Sequence, residues 1–433
     1  MINKVIYLIL FIATTCVNAD VKTPINPLII EEVVDILSNS LNTPIQIKSI
    51  TQLSEEERRN LILRINITSQ SNAKFPKSLI FKQSLSGKVS GETADDILGR
   101  FASDWAGLEF LSTLKEEMVP VPKFYGGSIL HRFILIEDLG ESQISLEVPL
   151  TGNNVNDAKA SLQRFMVSLG QLHAYSYGKT EGYFTILKKI DPLVKSWQEQ
   201  LKTTTDKNLP ALKLWLKKLN ITLSEDRLSE IFSVYNYNLS PGPFTTLIHG
   251  DICPDNVFDN PKENKLYFID FEWSSVKNAL LDGTSLRMSF PTCGGEKAIP
   301  QKLIDSLEDI YREQLKKTIP AAKSDEEYNK AYANACAFWM LRSVLHLEYV
   351  LVYDDAWSSG PTPYPQSLWK EEADQLRPRI LSQLIVFIEV SKRTKMYPHL
   401  LSMAEEVLKE LQIRWPDAKP LDLYRAFKGF PND

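Results

Sequence analysis

Two short acidic segments, close together in the chain, hold residue types that could transfer a phosphoryl group. The first is residues 249–256, with the sequence HGDICPDN, and the second is residues 269–272, with the sequence IDFE. Phosphoryl transfer needs a carboxylate that orients the attacking hydroxyl group and oxygen ligands for the Mg²⁺ on the phosphates. Asp251 fits the first role, and Asn256 and Asp270 fit the second. The residue types and their spacing therefore predict a phosphoryl-transfer site.

The spacing of these residues has a mechanical reason. Asp251 and Asn256 are close enough for one short loop to present both, and an apolar strand that ends at Asp270 supplies the other ligand. The alternative is that Asp251 and Asn256 only form a turn and that Asp270 caps a strand. The two interpretations differ in whether the three side chains converge around one ion-sized space.

These segments resemble the aminoglycoside phosphotransferase and choline kinase-like family, which has the protein-kinase-like fold. The likeness covers roughly residues 40–350 and rests on the two acidic segments, namely on His249, Gly250, Asp251, Asn256 and residues 269–272. Protein kinases of the familiar type have Arg before the catalytic Asp and Gly after the magnesium-binding Asp and Phe. Gly250 and Glu272 stand at those places here, which favours the small-molecule branch. The resemblance implies an α+β bilobal fold with a small antiparallel-sheet lobe and a larger, mainly helical lobe.

Three β-rich runs near the N-terminus, at residues 44–50, 61–68 and 78–83, predict the small antiparallel sheet. Between the first two runs, residues 54–60 occupy the place of the family's phosphate-covering loop, but they contain three glutamates and no glycine. These residues could meet phosphate through backbone amides, or they could be a solvated hairpin tip.

The resemblance also implies nucleotide-binding residues in this lobe. Lys82 ends the third run and matches the lysine that pairs the α and β phosphates in the family. On a predicted helix over residues 101–111, Asp104 matches the acidic partner of that lysine, and Glu109 is the alternative. Backbone groups at Glu137, Asp138 and Leu139, where the family links its lobes, are expected to bind the adenine edge, whereas a surface turn without ligand is the other interpretation.

Several residues of the helical part are assigned supporting roles. Asp282 matches a family carboxylate that steadies the catalytic loop, and both His173 and His249 are expected to be structural. A long helix is predicted over residues 331–352. Acidic and aromatic residues near its end suit a cationic or polyhydroxylated acceptor, although a solvated surface is the more ordinary interpretation: Glu348, Tyr353, Asp354, Asp355 and Trp357.

The composition sets limits on partners. The chain has 433 residues, of which 43% are hydrophobic, and a formal net charge of −5. Such a chain can bury a large core but offers no broad basic surface, so nucleic acid is not an expected partner. No stretch after the first residues approaches the roughly 20 apolar residues of a membrane span, so none is expected in the mature chain.

The first 19 residues predict export. A positively charged start, an apolar run at residues 5–13 and small residues before Asp20 are typical of a secretory signal peptide. The alternatives are that these residues form an uncleaved anchor or a buried N-terminal helix, and that the protein is cytoplasmic. Cleavage would leave Cys253, Cys293 and Cys336, which allow at most one internal disulfide, and Cys253 is expected to be a small buried residue.

The combined prediction is a signal peptide at residues 1–19, a nucleotide-binding lobe at residues 28–138 and a catalytic, acceptor-binding lobe at residues 139–433. The expected activity is an ATP- and Mg²⁺-dependent transfer of the γ-phosphoryl group to a small-molecule hydroxyl group. A protein kinase and an exported nucleotide-binding pseudokinase without turnover are the alternatives. The oligomeric state is left open.

Overall fold

The protein was described from a computed structural model that covers most of the chain. The described residues are 18–20, 25–56, 58–69, 75–88, 91–114, 119–294, 297–352 and 376–429, with the backbone alone at residues 18–20, 348, 349 and 352. They form two compact units. The first comprises Met1–Ile97 and Phe124–Asp138, and the second comprises Leu98–Lys123 and Leu139–Asp433.

The first unit is a sheet with one helix. Its elements are β1 (Asn18–Asp20), α1 (Pro27–Ser40), β2 (Gln46–Gln52), β3 (Asn60–Thr68), β4 (Ser78–Ser84), β5 (Phe124–Ser128) and β6 (Phe133–Glu137). The strand order is β1-β2-β3-β4-β6-β5. All neighbouring strands are antiparallel except β1 and β2, which pair in parallel.

Apolar side chains at alternate positions create the core of this unit. Strand β3 buries every second residue, from Leu61 to Ile67, because successive side chains of a strand point to opposite faces. Helix α1 begins after Asn26, whose side chain accepts a hydrogen bond from the Leu28 amide, and it buries Ile29, Val33 and Leu37 in the same core.

The second unit is mainly helical. Its elements are α2 (Ala94–Thr113, of which the residues from Leu98 belong here), β7 (Ile144–Ser145), α3 (Glu147–Thr151), α4 (Val155–Ser176), α5 (Thr180–Ile190), α6 (Trp197–Lys218), α7 (Glu225–Leu239), β8 (Thr245–Ile248), β9 (Val257–Asn260), β10 (Lys265–Phe268), β11 (Ser275–Asn278), α8 (Leu280–Gly283), α9 (Gln301–Leu315), α10 (Asp325–Leu345), α11 (Leu347–Val352), α12 (Leu376–Thr394) and α13 (Pro398–Arg414).

Helix α4 supports the short strands that carry the acidic segments. It packs against α9 so closely that a Cβ atom at Gly170 would lie 2.6 Å from the Cβ of Gln314. Strand β8 pairs with β11, and β9 lies between β10 and β7. Because β8 ends at Ile248 and β10 ends at Phe268, the two acidic segments begin directly after strands that α4 contacts.

The predicted fold class is confirmed: the chain has a small, largely antiparallel sheet unit and a larger, mainly helical unit. The single helix predicted over residues 331–352 is instead two helices, α10 and α11, because α10 ends with His346 as its C-terminal cap. Among the described residues, no helix combines the length and hydrophobicity required to span a bilayer.

Candidate active site

Asn256 joins the two acidic segments. Residues 249–256 form a loop that closes with a 3₁₀ turn at Pro254–Asn256 before β9 begins. The Asn256 side chain donates a hydrogen bond from Nδ2 to the carbonyl oxygen of Asp251, at 3.0 Å. Its backbone carbonyl accepts one from the amide of Ile269, at 3.1 Å. A single residue therefore fixes Asp251 and the residue before Asp270 relative to each other.

Gly250 is required by the backbone of this loop. It has a φ of +80°, in the left-handed region, and a Cβ atom there would lie 2.3 Å from the carbonyl oxygen of Trp273. Real Cβ atoms do not approach a backbone oxygen so closely, so no other residue fits without moving one of the two segments. The close approach of the Trp273 carbonyl oxygen therefore explains why Gly250 stands where the familiar protein kinases have Arg.

The carboxylate of Asp251 lies in an unfavourable electrostatic environment. Burial, followed by the negative charge of Asp270, raises the pKa of Asp251 from 3.8 to about 7, and Glu272 acts in the same direction. A hydrogen bond with the Thr292 side chain opposes this increase in the pKa. Two carboxylates that repel each other in a partly buried site are stabilised by a cation between or beside them.

The backbone at Asp270 is strained, and the residues after it are held firmly. Asp270 has a φ of +66°, which costs a non-glycine residue about 1 kcal/mol or more. The next amide, that of Phe271, donates a 2.8 Å hydrogen bond to Oδ1 of Asp104. Glu272 forms a buried ion pair with Arg100, at 2.9 Å. Helix α2 therefore holds the segment that carries Asp270 in its strained conformation.

The predicted supporting role of Asp282 is confirmed. Its carboxylate accepts hydrogen bonds from the amides of His249, at 2.6 Å, and Gly250, at 3.2 Å. His173 lies 3.4 Å from the same carboxylate and 2.7 Å from the hydroxyl group of Tyr311. His249 Nε2 lies 2.8 Å from the carbonyl oxygen of Ile269. Both histidines therefore brace the loop, as the sequence indicated.

The predicted nucleotide-binding residues are dispersed over several elements. Lys82 lies on β4, opposite Ile62 and Ile134 on the neighbouring strands. The Asp138 carboxylate accepts hydrogen bonds within the first unit, from Arg64 and Ser78, both at 2.7 Å.

Three further hydrogen bonds involve Leu139, Asp104 and Glu109, the last of which is the alternative to Asp104. The carbonyl oxygen of Leu139 accepts a 3.1 Å hydrogen bond from the Gln143 side chain. The alternative Glu109 accepts one from the Trp105 ring, whereas Asp104 contacts Phe271. The ligand-binding roles of Lys82, Asp104 and residues 137–139 stay predictions.

The sequence did not identify the partner of Cys253. Cys253 forms a disulfide bond with Cys293, with Cα atoms 5.6 Å apart, and it is therefore not simply a small buried residue. The Cys253 sulfur also lies 3.5 Å from Oδ1 of Asp251. The odd number of cysteines allowed one disulfide but did not show which pair forms it.

The predicted acceptor-binding cluster lies beyond the part of the chain that the structure describes. Tyr353, Asp354, Asp355 and Trp357 are outside the described residues, as is the side chain of Glu348.

A protein-family model matches the part of the chain that contains both acidic segments. Residues 102–316 match the model of the phosphotransferase enzyme family (APH), which confirms the resemblance inferred from the motifs. No curated protein matches the chain.

Solved structures that resemble the chain have low sequence identities and low TM-scores. A choline/ethanolamine kinase family protein from Mesorhizobium loti is 13% identical, covers 89% of this chain and 99% of its own, and has a TM-score of 0.39. Choline kinase LicA from Streptococcus pneumoniae is 15% identical and also has a TM-score of 0.39. The match covers 83% of this chain and 98% of LicA. Amicoumacin kinase hAmiN, in complex with AMP-PNP and Ca²⁺, is 13% identical and has a TM-score of 0.43. The match covers 87% of this chain and 97% of hAmiN. At these TM-scores the likeness supports no conclusion about this chain.

Proposed function

We propose, from the membership of residues 102–316 in the phosphotransferase enzyme family, that this protein moves the γ-phosphoryl group of ATP to a hydroxyl group of a small molecule. One observation carries the proposal. Asn256 ties the Asp251 loop to the segment of Asp270, and the two carboxylates are close enough to raise the pKa of Asp251 through burial and mutual repulsion.

The donor groups suit magnesium. Carboxylate and amide oxygens are the ligands that Mg²⁺ prefers, and Asn256 and Asp270 provide one of each. The repulsion between Asp251 and Asp270 would be relieved by a divalent cation. Bound Mg²⁺ would neutralise charge on the phosphates.

The protein's own groups would act mainly by positioning. Asp251 would accept a hydrogen bond from the acceptor hydroxyl group and receive its proton as the oxygen attacks the γ-phosphorus. A pKa of about 7 brings this carboxylate close to the working range of a general base. Asp282 would keep the loop rigid through the amides of His249 and Gly250. Lys82 is proposed to bind the phosphates.

The test is replacement of Asp270. Asp270→Ala should abolish Mg²⁺-dependent phosphorylation of small hydroxylated molecules, because it removes a proposed metal ligand. Unchanged turnover in this variant, with the same dependence on Mg²⁺, would contradict the assignment of Asp270. A matched control is Asp255→Asn, which removes a charge from an exposed residue of the same loop and should retain turnover.

A nucleotide-binding protein without turnover is the second candidate. It is favoured by the glycine-free loop at residues 54–60, in which exposed Arg58 forms an ion pair with Glu55, at 3.7 Å. Calorimetry that detects ATP binding, together with no transfer to small molecules or proteins, would support it. Transfer to proteins but not to small molecules would instead indicate a protein kinase.

A further inference from the structure

A pocket of about 370 Å³ lies between helices α6, α7 and α10 of the second unit. Its volume is within the range of small-molecule sites. Lys207 and Asn208 from α6, Tyr235 from α7, and Phe338, Arg342 and His346 from α10 and its cap contribute to the wall. No acidic side chain is among the described residues that line it.

Part of the pocket lining is aromatic. The rings of Tyr235 and Phe338 meet edge to face, with centroids 6.0 Å apart. The Asn208 side chain lies 3.4 Å from the Tyr235 hydroxyl group and can donate a hydrogen bond to it. The two rings offer apolar surface with one hydroxyl group beside it, which suits a ligand with an aromatic ring.

Basic residues also line the pocket, and Arg342 lies one helical turn after Phe338 on α10. The Arg342 side chain is accessible to solvent although protein surrounds it, as expected for a group that lines a cavity. Burial lowers the pKa of Arg342, the negative charge of Asp251 raises it, and the positive charge of Arg379 lowers it to a smaller extent. Burial and the charges of Arg342 and Arg379 lower the pKa of His346 to about 4, so that His346 is neutral at neutral pH. The two charged residues of the described lining, Lys207 and Arg342, are both positive and would attract an anion.

One residue of the pocket wall interacts with the candidate catalytic loop. Arg342 and Asp251 attract each other electrostatically, so the basic wall is within electrostatic range of the proposed base. Helix α10 also contacts α8 through a 2.9 Å hydrogen bond from the Trp339 ring to the carbonyl oxygen of Leu281. The next residue, Asp282, holds the amides of His249 and Gly250.

We propose that this pocket binds the phosphoryl acceptor and that the acceptor is a hydroxylated molecule with a planar apolar body and an anionic group, which Arg342 recognises. The inference rests on the proposed function and specifies the substrate class of the same site. It differs from the cationic or polyhydroxylated acceptor considered for the acidic and aromatic residues between positions 348 and 357. In the transfer, the acceptor oxygen bonds to the γ-phosphorus, the bond to the ADP oxygen breaks, and the hydroxyl proton passes to Asp251.

The experiment uses three benzyl alcohols whose para substituent is anionic, neutral or cationic: para-(hydroxymethyl)benzoate, para-benzenedimethanol and para-(hydroxymethyl)benzylamine. The full chain is assayed with ATP and Mg²⁺. The benzoate should have the highest kcat/KM and the amine the lowest. Arg342→Gln should raise the KM for the benzoate about tenfold, as expected for the loss of one charge-assisted contact, and should change the KM for the diol little.

Two variants serve as controls. Arg342→Lys retains the charge and should keep part of the preference for the benzoate, which a purely structural role of Arg342 would not produce. Lys213→Gln removes the same charge from an exposed position of α6 outside the pocket, and it should leave all three KM values unchanged. Melting temperatures of all variants show whether each one is folded.

Calorimetric binding of the benzoate, without nucleotide, separates this inference from the proposed function. If no acceptor is phosphorylated but the benzoate binds the wild type and binds Arg342→Gln about tenfold more weakly, the proposed function fails and the pocket assignment stands. A preference for the amine, an equal effect of Arg342→Gln on all three compounds, or no binding of the benzoate would overturn the inference.

Discussion

Gly250 illustrates how much a single residue determines at this site. Its φ is +80°, and only 2.3 Å would separate an added Cβ atom from the Trp273 carbonyl oxygen, so any substitution displaces the loop or the segment after Asp270. Gly250→Ala should therefore reduce kcat by about 100-fold or more, because small misplacements of reacting groups have effects of this size. Single-turnover kinetics with ATP and an accepted small molecule would measure the loss.

Gly178 provides a matched control for this substitution. It has a φ of +70°, but a Cβ atom there meets nothing within 4 Å. Gly178→Ala carries the backbone strain of about 1 kcal/mol without the collision, and its kcat should remain near that of the wild type. Equal losses in both variants would show that strain, not the contact with Trp273, explains the effect.

The electrostatic environment of Asp251 should make the folded protein less stable as the pH rises. The folded-state pKa of about 7 lies above the unfolded value of 3.8, so the folded state holds the extra proton between these limits. The free energy of unfolding therefore falls from about pH 4 to about pH 7 by at most about 4 kcal/mol from this residue.

Asp251→Asn should remove this penalty. In calorimetry without nucleotide or metal, the variant should melt several degrees above the wild type at about pH 8, and the difference should shrink towards about pH 4. It should also have no transferase activity, because the proposed base is lost. Melting temperatures of the two proteins that run parallel across this pH range would contradict the argument.

Among the elements, the catalytic loop and the segment after α8 are linked by a covalent bond. Cys253 and Cys293 are separated by 40 residues, and closing a loop of this length stabilises a protein by about 4 kcal/mol in the chain-entropy description. Reduction, or the double substitution Cys253→Ser with Cys293→Ser, should lower the melting temperature and kcat together. The reason is that both Asp251 and its partner Thr292 are adjacent to this bond.

Sensitivity to a thiol reductant provides the measurement. The wild type and Cys336→Ala should both lose stability on reduction, since Cys336 is the free, buried cysteine of the described residues. The double serine variant should not respond. A wild type whose melting temperature is unaffected by reductant under conditions that expose two new thiols would contradict the expected effect.

Much of the fold could be predicted because the pattern was local. The alternation of apolar residues in β3 and the helical spacing of residues 101–111 in α2 depend only on neighbours in the sequence. The positions of Asp251, Asn256 and Asp270 followed from the needs of phosphoryl transfer. Contacts between distant residues could not be inferred in this way. The disulfide partner of Cys253 and the hydrogen bond of Asp104 with Phe271 depend on how separate elements pack.

For the whole molecule, the compartment in which it acts is the property to test. We propose that it is exported, and the disulfide beside Asp251 supports this, because such bonds persist in oxidising compartments. Mass spectrometry of the mature protein should find Asp20 at the N-terminus. Cleavage there would remove two of the three residues of β1 and leave β2 as an edge strand. An intact Met1 would contradict export.

The limits at residues 28–138 and 139–433 stay predictions.

The attachment of Phe271 has a consequence for inhibitor discovery. Its ring is fully buried, its amide is bonded to Asp104, and Gly107 leaves no room, since a Cβ atom there would lie 2.9 Å from the Cβ of Phe271. An inhibitor that requires the Phe271 ring to leave its buried position would have to break several contacts at once. Analogues of the proposed acceptor, which have a planar ring, an acidic group and a hydroxymethyl group, are therefore the better starting point for selective inhibitors.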